Sequence, residues 1–192
     1  MTTEKNEKDA FMLIADKYAE NETDQILKNR DAGHARYLQE RLFNKAKEEM
    51  LILTGEVSDE VYTHEYLIEA AIEFIKKDSS KKLNIIYQND IDKENLLKKR
   101  FFSEIKKRAD KEKLEDKLKI WEAKHTKDIV PFHFSVSDRK FFRLETDIEQ
   151  RRAIANFGDK ETAKKLAEIF DGIVQNNETK SIELKTWIES NT

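Results

Sequence analysis

The segment FHFSVS at 132–137 alternates apolar and polar residues, and it holds the chain's most suggestive chemistry. In an extended strand successive side chains point to opposite faces, so Phe132, Phe134 and Val136 are expected on one face and His133, Ser135 and Ser137 on the other. An imidazole beside two hydroxyls can act as a nucleophile, carry a proton, or hold an oxyanion through hydrogen bonds. Downstream, in AIANFGD, Asn156 stands directly before an amphipathic segment, where its carboxamide is expected to approach the same polar row. His133, Ser135 and Asn156 are therefore the candidate ligand-binding residues, and His133 is the candidate for any catalysis.

Other chemistry-bearing residues point elsewhere. His125-Thr126-Lys127 sits in a charged loop, and such a triplet arises readily in a chain with 36 Lys and Arg. His34, His64 and His125 lack the spacing of metal ligands on a helix or hairpin and read as surface residues, so no metal is expected. With no Cys there is neither a thiolate zinc site nor a disulfide framework. No G-x-S-x-G motif supports a serine hydrolase. Thr54-Gly55, between a strand and a helix, is a natural anion site in an α/β sheet, but no Gly-rich loop accompanies it and no cofactor is expected.

The stretch from Lys98 to Lys119 is the most basic in the chain, with KKR at 98–100 and again at 106–108. It is the route by which nucleic acid would bind. Its interleaved Glu104, Asp110, Glu112, Glu115 and Asp116 suit a solvated helix face with i,i+4 pairs, and Phe101 and Phe102 suit a core better than a stacking platform. The formal net charge of -3 gives no global case for nucleic acid or an anionic membrane. No apolar run approaches the roughly 20 residues that span a bilayer, and MTTEKNEKDA has no apolar leader segment, so a cytoplasmic protein without membrane contact is expected.

These candidates need elements to position them. The 192 residues suffice for one sizeable core. Leu38, Leu42, Ala46 and Met50 recur every four residues and predict a helix that opens the domain. Leu51 to Leu53 reads as a strand buried on both faces, with Ser58 or Asp59 capping the next helix. That helix carries Tyr62, Tyr66, Leu67, Ala70, Ala71, Phe74 and Ile75. A strand at 83–87, a helix at about 93–108 and a strand at 118–123 continue the alternation, which implies parallel pairing. Strands at 132–137 and 140–145 flank Asp138-Arg139 as a hairpin. Ala163, Leu166, Ala167, Phe170, Ile173 and Val174 form the core face of a helix capped by Asp159. The expected class is α/β: a mixed, mostly parallel sheet with helices on both faces, plus terminal helices. Residues 1–34 form an N-terminal helical arm, 35–176 the domain, and 177–192 a helical extension from Ser181 that holds Trp187 and Ile188. Both ends, 11–18 and 182–188, are candidate contacts for a protein partner.

The order of these elements, with AKEEMLILTGEVSDEVY at the start, FHFSVSDRKFFRLE and then AIANFGDKETAKKLAEIF, resembles one half of a phospholipase D superfamily domain over about 35–174. The resemblance implies that fold and a signature HxKxxxxD followed by GSxN. In that family a His attacks the phosphodiester phosphorus, Lys and Asn hold the phosphoryl oxygens, and a second His from a paired half serves as acid. Aligned on His133, the Lys position holds Ser135 and Asp138 comes two residues early. Aligned on Asp138, Pro131 stands at the His position and His133 at the Lys position. At the second motif Ala153 and Ile154 replace Gly-Ser, and Asn156 remains. The resemblance thus implies a catalytically degenerate binding or regulatory module, homodimeric as single-half members are, that recognises a phosphate-bearing ligand or nucleic acid. The alternative is a metal-independent nuclease or phosphodiesterase with a divergent site centred on His133.

Overall fold

A computed structural model describes residues 9–29, 31–55, 59–77, 80–89, 99–112, 117–123, 126, 128–150, 152–176 and 180–182. The order is α1 (Ala10–Glu20), β1 (Leu27–Asn29), α2 (Ala32–Lys45), β2 (Glu49–Thr54), α3 (Asp59–Tyr62), α4 (Glu65–Lys76), β3 (Lys82–Tyr87), α5 (Arg100–Glu112), β4 (Leu118–Glu122), β5 (Phe134–Ser137), β6 (Phe141–Asp147), β7 (Arg152–Asn156), α6 (Lys160–Gln175) and β8 (Lys180–Ile182). The eight described strands form one sheet, ordered β1-β7-β6-β5-β2-β3-β4-β8.

The expected α/β sheet with helices on both faces is present, but "mostly parallel" needs correction. Only β2–β3 and β3–β4 pair parallel, and the other five neighbours are antiparallel. Helical crossovers, which parallel pairing requires, link β2 to β3 and β3 to β4, whereas α2 and α6 join strands that are not neighbours, β1 to β2 and β7 to β8. From β5 to β7 the chain turns back through short loops, and short returns give antiparallel pairs.

Burial explains which elements form. Met50, Ile52, Leu83, Ile85 and Ile120 face a core covered by α2, α4 and α5. Leu51, Leu53, Ile86, Phe134, Val136 and Phe142 face a second core under α6. The continuous apolar run at 51–53 is therefore a strand buried on both sides, as the sequence predicts. Leu38, Leu42 and Ala46 are buried as expected. The helix expected through Tyr62 is divided into α3 and α4, with His64 as the second segment's N-cap.

Two further expectations change. Residues 1–34 were expected to form an arm, yet α1 buries Ala15 and Ala19 and β1 pairs with β7 at the sheet edge. Helix was expected from Ser181, but 180–182 form β8 against β4. Trp187 and Ile188, and likewise Ser58, His125 and Lys127, lie outside the described residues.

Candidate functional site

Three strand ends and two helices meet at the carboxyl edge of β2. Thr54 ends β2, His133 immediately precedes β5, and Glu145 lies near the end of β6. Because β5 runs antiparallel to β2 and β6 antiparallel to β5, these positions share one edge of the sheet. Ala32 and Ala35 of α2 and Val61 and Tyr62 of α3 close the space above them. The result is a small pocket of about 80 Å³, lined also by Ser135, Arg143 and Ile148.

Cross-strand register decides which side chains enter it. Ser135 is level with Ile52 on one side and Arg143 on the other, so all three point to the face beneath α2. The hairpin loop is three residues long, Asp138 to Lys140, with Ser137 opposite Phe141. Asp138 and Arg139 both have positive φ, 52° and 55°. The loop chemistry is as expected, but the added third residue moves the partner strand by one position. Arg143 and Glu145 thereby join His133 and Ser135, where a two-residue loop would have aimed Phe142 and Leu144 there.

His133 is held at both ring nitrogens. Gly55 donates its backbone N–H to Nε2 at 2.8 Å, and Nδ1 lies 2.9 Å from Glu145 Oε2. Since Nε2 accepts, Nδ1 carries the proton and donates to the carboxylate, which assigns the neutral Nδ1–H tautomer. Arg143 Nη1 donates to the other Glu145 oxygen at 3.0 Å. Burial pushes the Glu145 carboxyl up, but the His133 hydrogen bond and the Arg143 charge outweigh it and hold it below the usual range. Gly55 is needed for space: a Cβ there would stand 2.8 Å from His133 Nε2. The expected anion site at Thr54-Gly55 thus has its N–H engaged by the imidazole.

Ser135 is 3% exposed and hydrogen-bonds Tyr62. Burial raises the Tyr62 phenol to about 12, so it stays neutral at physiological pH. The described charges in the pocket are one guanidinium and one carboxylate.

Asn156 is not brought to this group. It pairs with Phe142, which faces the α6 side. It is also level with Val136, three residues short of His133, or roughly 10 Å along the sheet at about 3.3 Å per residue. Its Oδ1 accepts from Gly158 N at 2.7 Å and Asp159 N at 2.8 Å, and its Nδ2 donates to Asp24 at 2.9 Å. Asn156 therefore organises the entry to α6, and its expected place in the polar row is corrected. Ser137 keeps the face expected of it, with Ser135, but lies farther along the strand, opposite Phe141. Sequence reasoning passed over Tyr62, Arg143 and Glu145 as site residues, and the signal that would have found Arg143 and Glu145 was the loop length.

Two arginines of the basic stretch are spent locally. Arg100 reaches Glu65 at 3.8 Å and Arg108 reaches Glu69 at 3.5 Å, tying α5 to α4. Phe101, Phe102 and Ile105 are buried. No group of three or more His, Asp or Glu among the described residues could hold a metal ion, and no described helix is long and apolar enough to cross a membrane.

No family profile matches the chain, and no curated protein matches it in sequence. Solved structures do match in three dimensions. The archaeal chromatin protein TrmBL2, described with a novel mode of DNA binding, is 13% identical with a TM-score of 0.56, over 85% of this chain and 62% of that one. Nuc, a phospholipase D family member from Salmonella typhimurium, is 10% identical with a TM-score of 0.55, over 84% of this chain and 98% of its own. Phosphatidylserine synthase from Haemophilus influenzae Rd KW20 is 12% identical with a TM-score of 0.52, over 86% of this chain and 41% of that one. The chain thus spans less than two thirds of the first and third of these proteins and nearly all of Nuc. At such identities the likeness speaks to architecture, and on that ground the chain has a phospholipase D-like fold.

Proposed function

We propose that the protein is a phospholipase D-like binding or regulatory module without phosphodiesterase turnover, that it acts as a homodimer, and that it recognises a phosphate-bearing ligand or nucleic acid. The observation that carries this reading is the hydrogen bond from Gly55 N–H to His133 Nε2 at 2.8 Å. With Nδ1 on Glu145, both imidazole nitrogens are engaged inside the protein. Ser135, where the resemblance implies a lysine, is neutral, buried and bonded to Tyr62. Removing one preorganised group that stabilises transition-state charge costs about 3–4 kcal/mol of barrier, and here Asn156 is also turned away. The DNA-binding description of TrmBL2 supports the nucleic-acid side of the reading at the level of fold only.

The test is incubation of the purified chain with bis(p-nitrophenyl) phosphate and with single-stranded DNA, with and without EDTA. The expected result is no release above that of His133→Ala. Light scattering should give twice the chain mass, and a monomer would remove the dimer from the reading.

One observation favours a second reading, a metal-independent nuclease or phosphodiesterase. Glu145 on Nδ1 fixes the tautomer whose Nε2 lone pair a nucleophilic imidazole needs. In that case Nε2 must exchange the Gly55 N–H for the substrate's phosphorus. EDTA-resistant hydrolysis lost in His133→Ala, with a phosphohistidine trapped at His133, would establish it in place of the first.

A further inference from the structure

Helix α2 lines a second pocket with another of its faces. Ala32 and Ala35 close the space beside His133, whereas Gly33, Arg36, Tyr37, Glu40 and Arg41, spaced three and four apart, line a separate pocket of about 250 Å³. Met12 of α1 completes it with His64 and Tyr66, at the start of α4. Arg41 is spent internally, on Asp16 and Glu40, and its guanidinium lies 4.7 Å from the centre of the Tyr37 ring. Arg36 differs, since it forms no hydrogen bond or ion pair among the described residues. A β-carbon on Gly33 would stand 3.8 Å from Arg36 Nη2, which places that guanidinium against the first turn of α2, the positive end of the helix dipole. Asp31 caps this end and is itself engaged by His34, through the backbone N–H at 2.8 Å and the ring at 3.2 Å. A cation at that end lacks a counter-charge of its own, and an incoming anion supplies one.

The opposite wall is aromatic. Tyr66 is 64% exposed, and its ring lies 5.2 Å from that of His64 at an angle of 34°. His64 caps α4 without a side-chain hydrogen bond. Burial and the Arg36 charge push its imidazole down, so the ring is uncharged at pH 7.5 and offers one donor and one acceptor. Met12 adds a thioether, which packs well against an aromatic ring. Size and charge restrict the ligand further. Small-molecule pockets begin at roughly 300 Å³, so 250 Å³ takes one ring system with one charged group. A guanidinium grips a carboxylate through two parallel bonds, and Glu40 in the same lining disfavours a second negative charge.

We propose that this pocket binds a planar aromatic monocarboxylate, with Arg36 holding the carboxylate and with Tyr66 and His64 stacking on the ring. The site is separate from the His133 pocket and does not rest on the phosphate-recognition reading. Its ligand touches α1, α2 and α4 at once and so ties the N-terminal helix to the domain. The carboxylate can belong to a free aromatic acid or to a peptide that ends in an aromatic residue.

The experiment is titration of the full chain at pH 7.5, followed by isothermal calorimetry and by the NMR signal of the Arg36 Nε–H. The probes are cinnamate, the uncharged cinnamamide, 3-cyclohexylpropanoate, which keeps the charge and loses the planar ring, and the tripeptide Gly-Gly-Phe. Cinnamate should shift the Arg36 Nε–H resonance and bind about tenfold more tightly than cinnamamide, as expected of hydrogen bonds to a charged group. It should bind about threefold more tightly than 3-cyclohexylpropanoate, as expected of ring stacking. Arg36→Gln should weaken cinnamate about tenfold and leave cinnamamide unchanged. Tyr66→Ala should weaken cinnamate about threefold and erase its advantage over 3-cyclohexylpropanoate. If Arg36→Gln does not fold, the wild-type Nε–H signal and the four-probe comparison decide. Gly-Gly-Phe that shifts the same resonance and binds at least as tightly as cinnamate identifies a peptide end as the source, and weaker binding identifies a free acid. Cinnamate that fails to bind, binds no better than cinnamamide, leaves the Arg36 Nε–H unmoved or binds Arg36→Gln equally overturns the proposal. Equal binding of 3-cyclohexylpropanoate overturns the aromatic assignment.

Discussion

At the scale of single residues, Tyr62 gives the sharpest test of the pocket. Its phenol lies against Ser135, Arg143 and Glu145, and burial raises it to about 12, against about 10 for an exposed tyrosine. The folded chain therefore keeps the phenolic proton between pH 10 and 12, where the unfolded chain releases it. This stabilising contribution is whole below pH 10 and is lost as pH rises to 12, by about 1.4 kcal/mol per unit and roughly 2.7 kcal/mol in all. Tyr62→Phe should cost about 1 kcal/mol at pH 8 for the lost hydrogen bond and show a shallower fall between pH 10 and 11.5. Urea denaturation of both proteins across that window measures it, and parallel curves would contradict the buried phenol. Of this site, the sequence alone made His133 and Ser135 legible, since strand parity needs only local alternation. Arg143 and Glu145 were hidden because their face depends on the loop length, and Tyr62 because its helix is distant in sequence. Asn156 was misplaced because its segment is a strand, whose register aims it the other way.

Among the elements, the β5–β6 hairpin is fixed to the rest of the sheet through its own loop. The Asp138 carboxylate accepts from the backbone N–H groups of Lys47, Glu48 and Glu49 at 2.7, 2.8 and 3.0 Å, where the chain leaves α2 and enters β2. Arg139 adds bonds to Glu49 and Asp171, which raise its already high pKa, chiefly through Asp171. One loop thus sets the register of the strands that carry His133, Arg143 and Glu145. Asp138→Ala should cost about 2 kcal/mol, from the lost charge-assisted bonds and from a positive φ that alanine tolerates poorly. Asp138→Asn keeps one acceptor oxygen and the tolerated backbone and should cost about half as much. Chemical denaturation of both checks the order, and equal losses would mean that the carboxylate, not the backbone conformation, matters. The elements legible in sequence were those with a strong apolar signature: β2, β3, β4, α4 and α6. β1 and β7 were missed because LKN and RAIAN carry little of the β-branched or aromatic content that marks a strand, and their pairing is supplied from far along the chain.

For the whole molecule, the open question is whether the N-terminal segment is an attachment or part of the folding unit, and its contacts argue for the latter. Phe11 stacks on His34 at 3.9 Å, Tyr37 donates to Asp16 at 2.6 Å, and β1 closes the sheet beyond β7. The tightest junction is at Gly158, where a Cβ would stand 2.4 Å from Asp24 N and 2.5 Å from Glu22 O. Both are backbone atoms, and neither can withdraw as a flexible side chain could. Gly158 does not have positive φ, so an alanine there suffers from the contact alone. Gly158→Ala should therefore push the 22–24 turn outward, strain the Asn156–Asp24 bond and loosen β1 from β7. The expected loss is about 1–3 kcal/mol, the usual cost of overpacking. Hydrogen exchange should quicken at the β1 and β7 amides while β3 and β4 keep their protection. An independent arm would instead let the turn move away at no cost, with stability and exchange unchanged. The substitution thus separates an integral edge of the sheet from an appendage, and it does so without deleting any part of the chain.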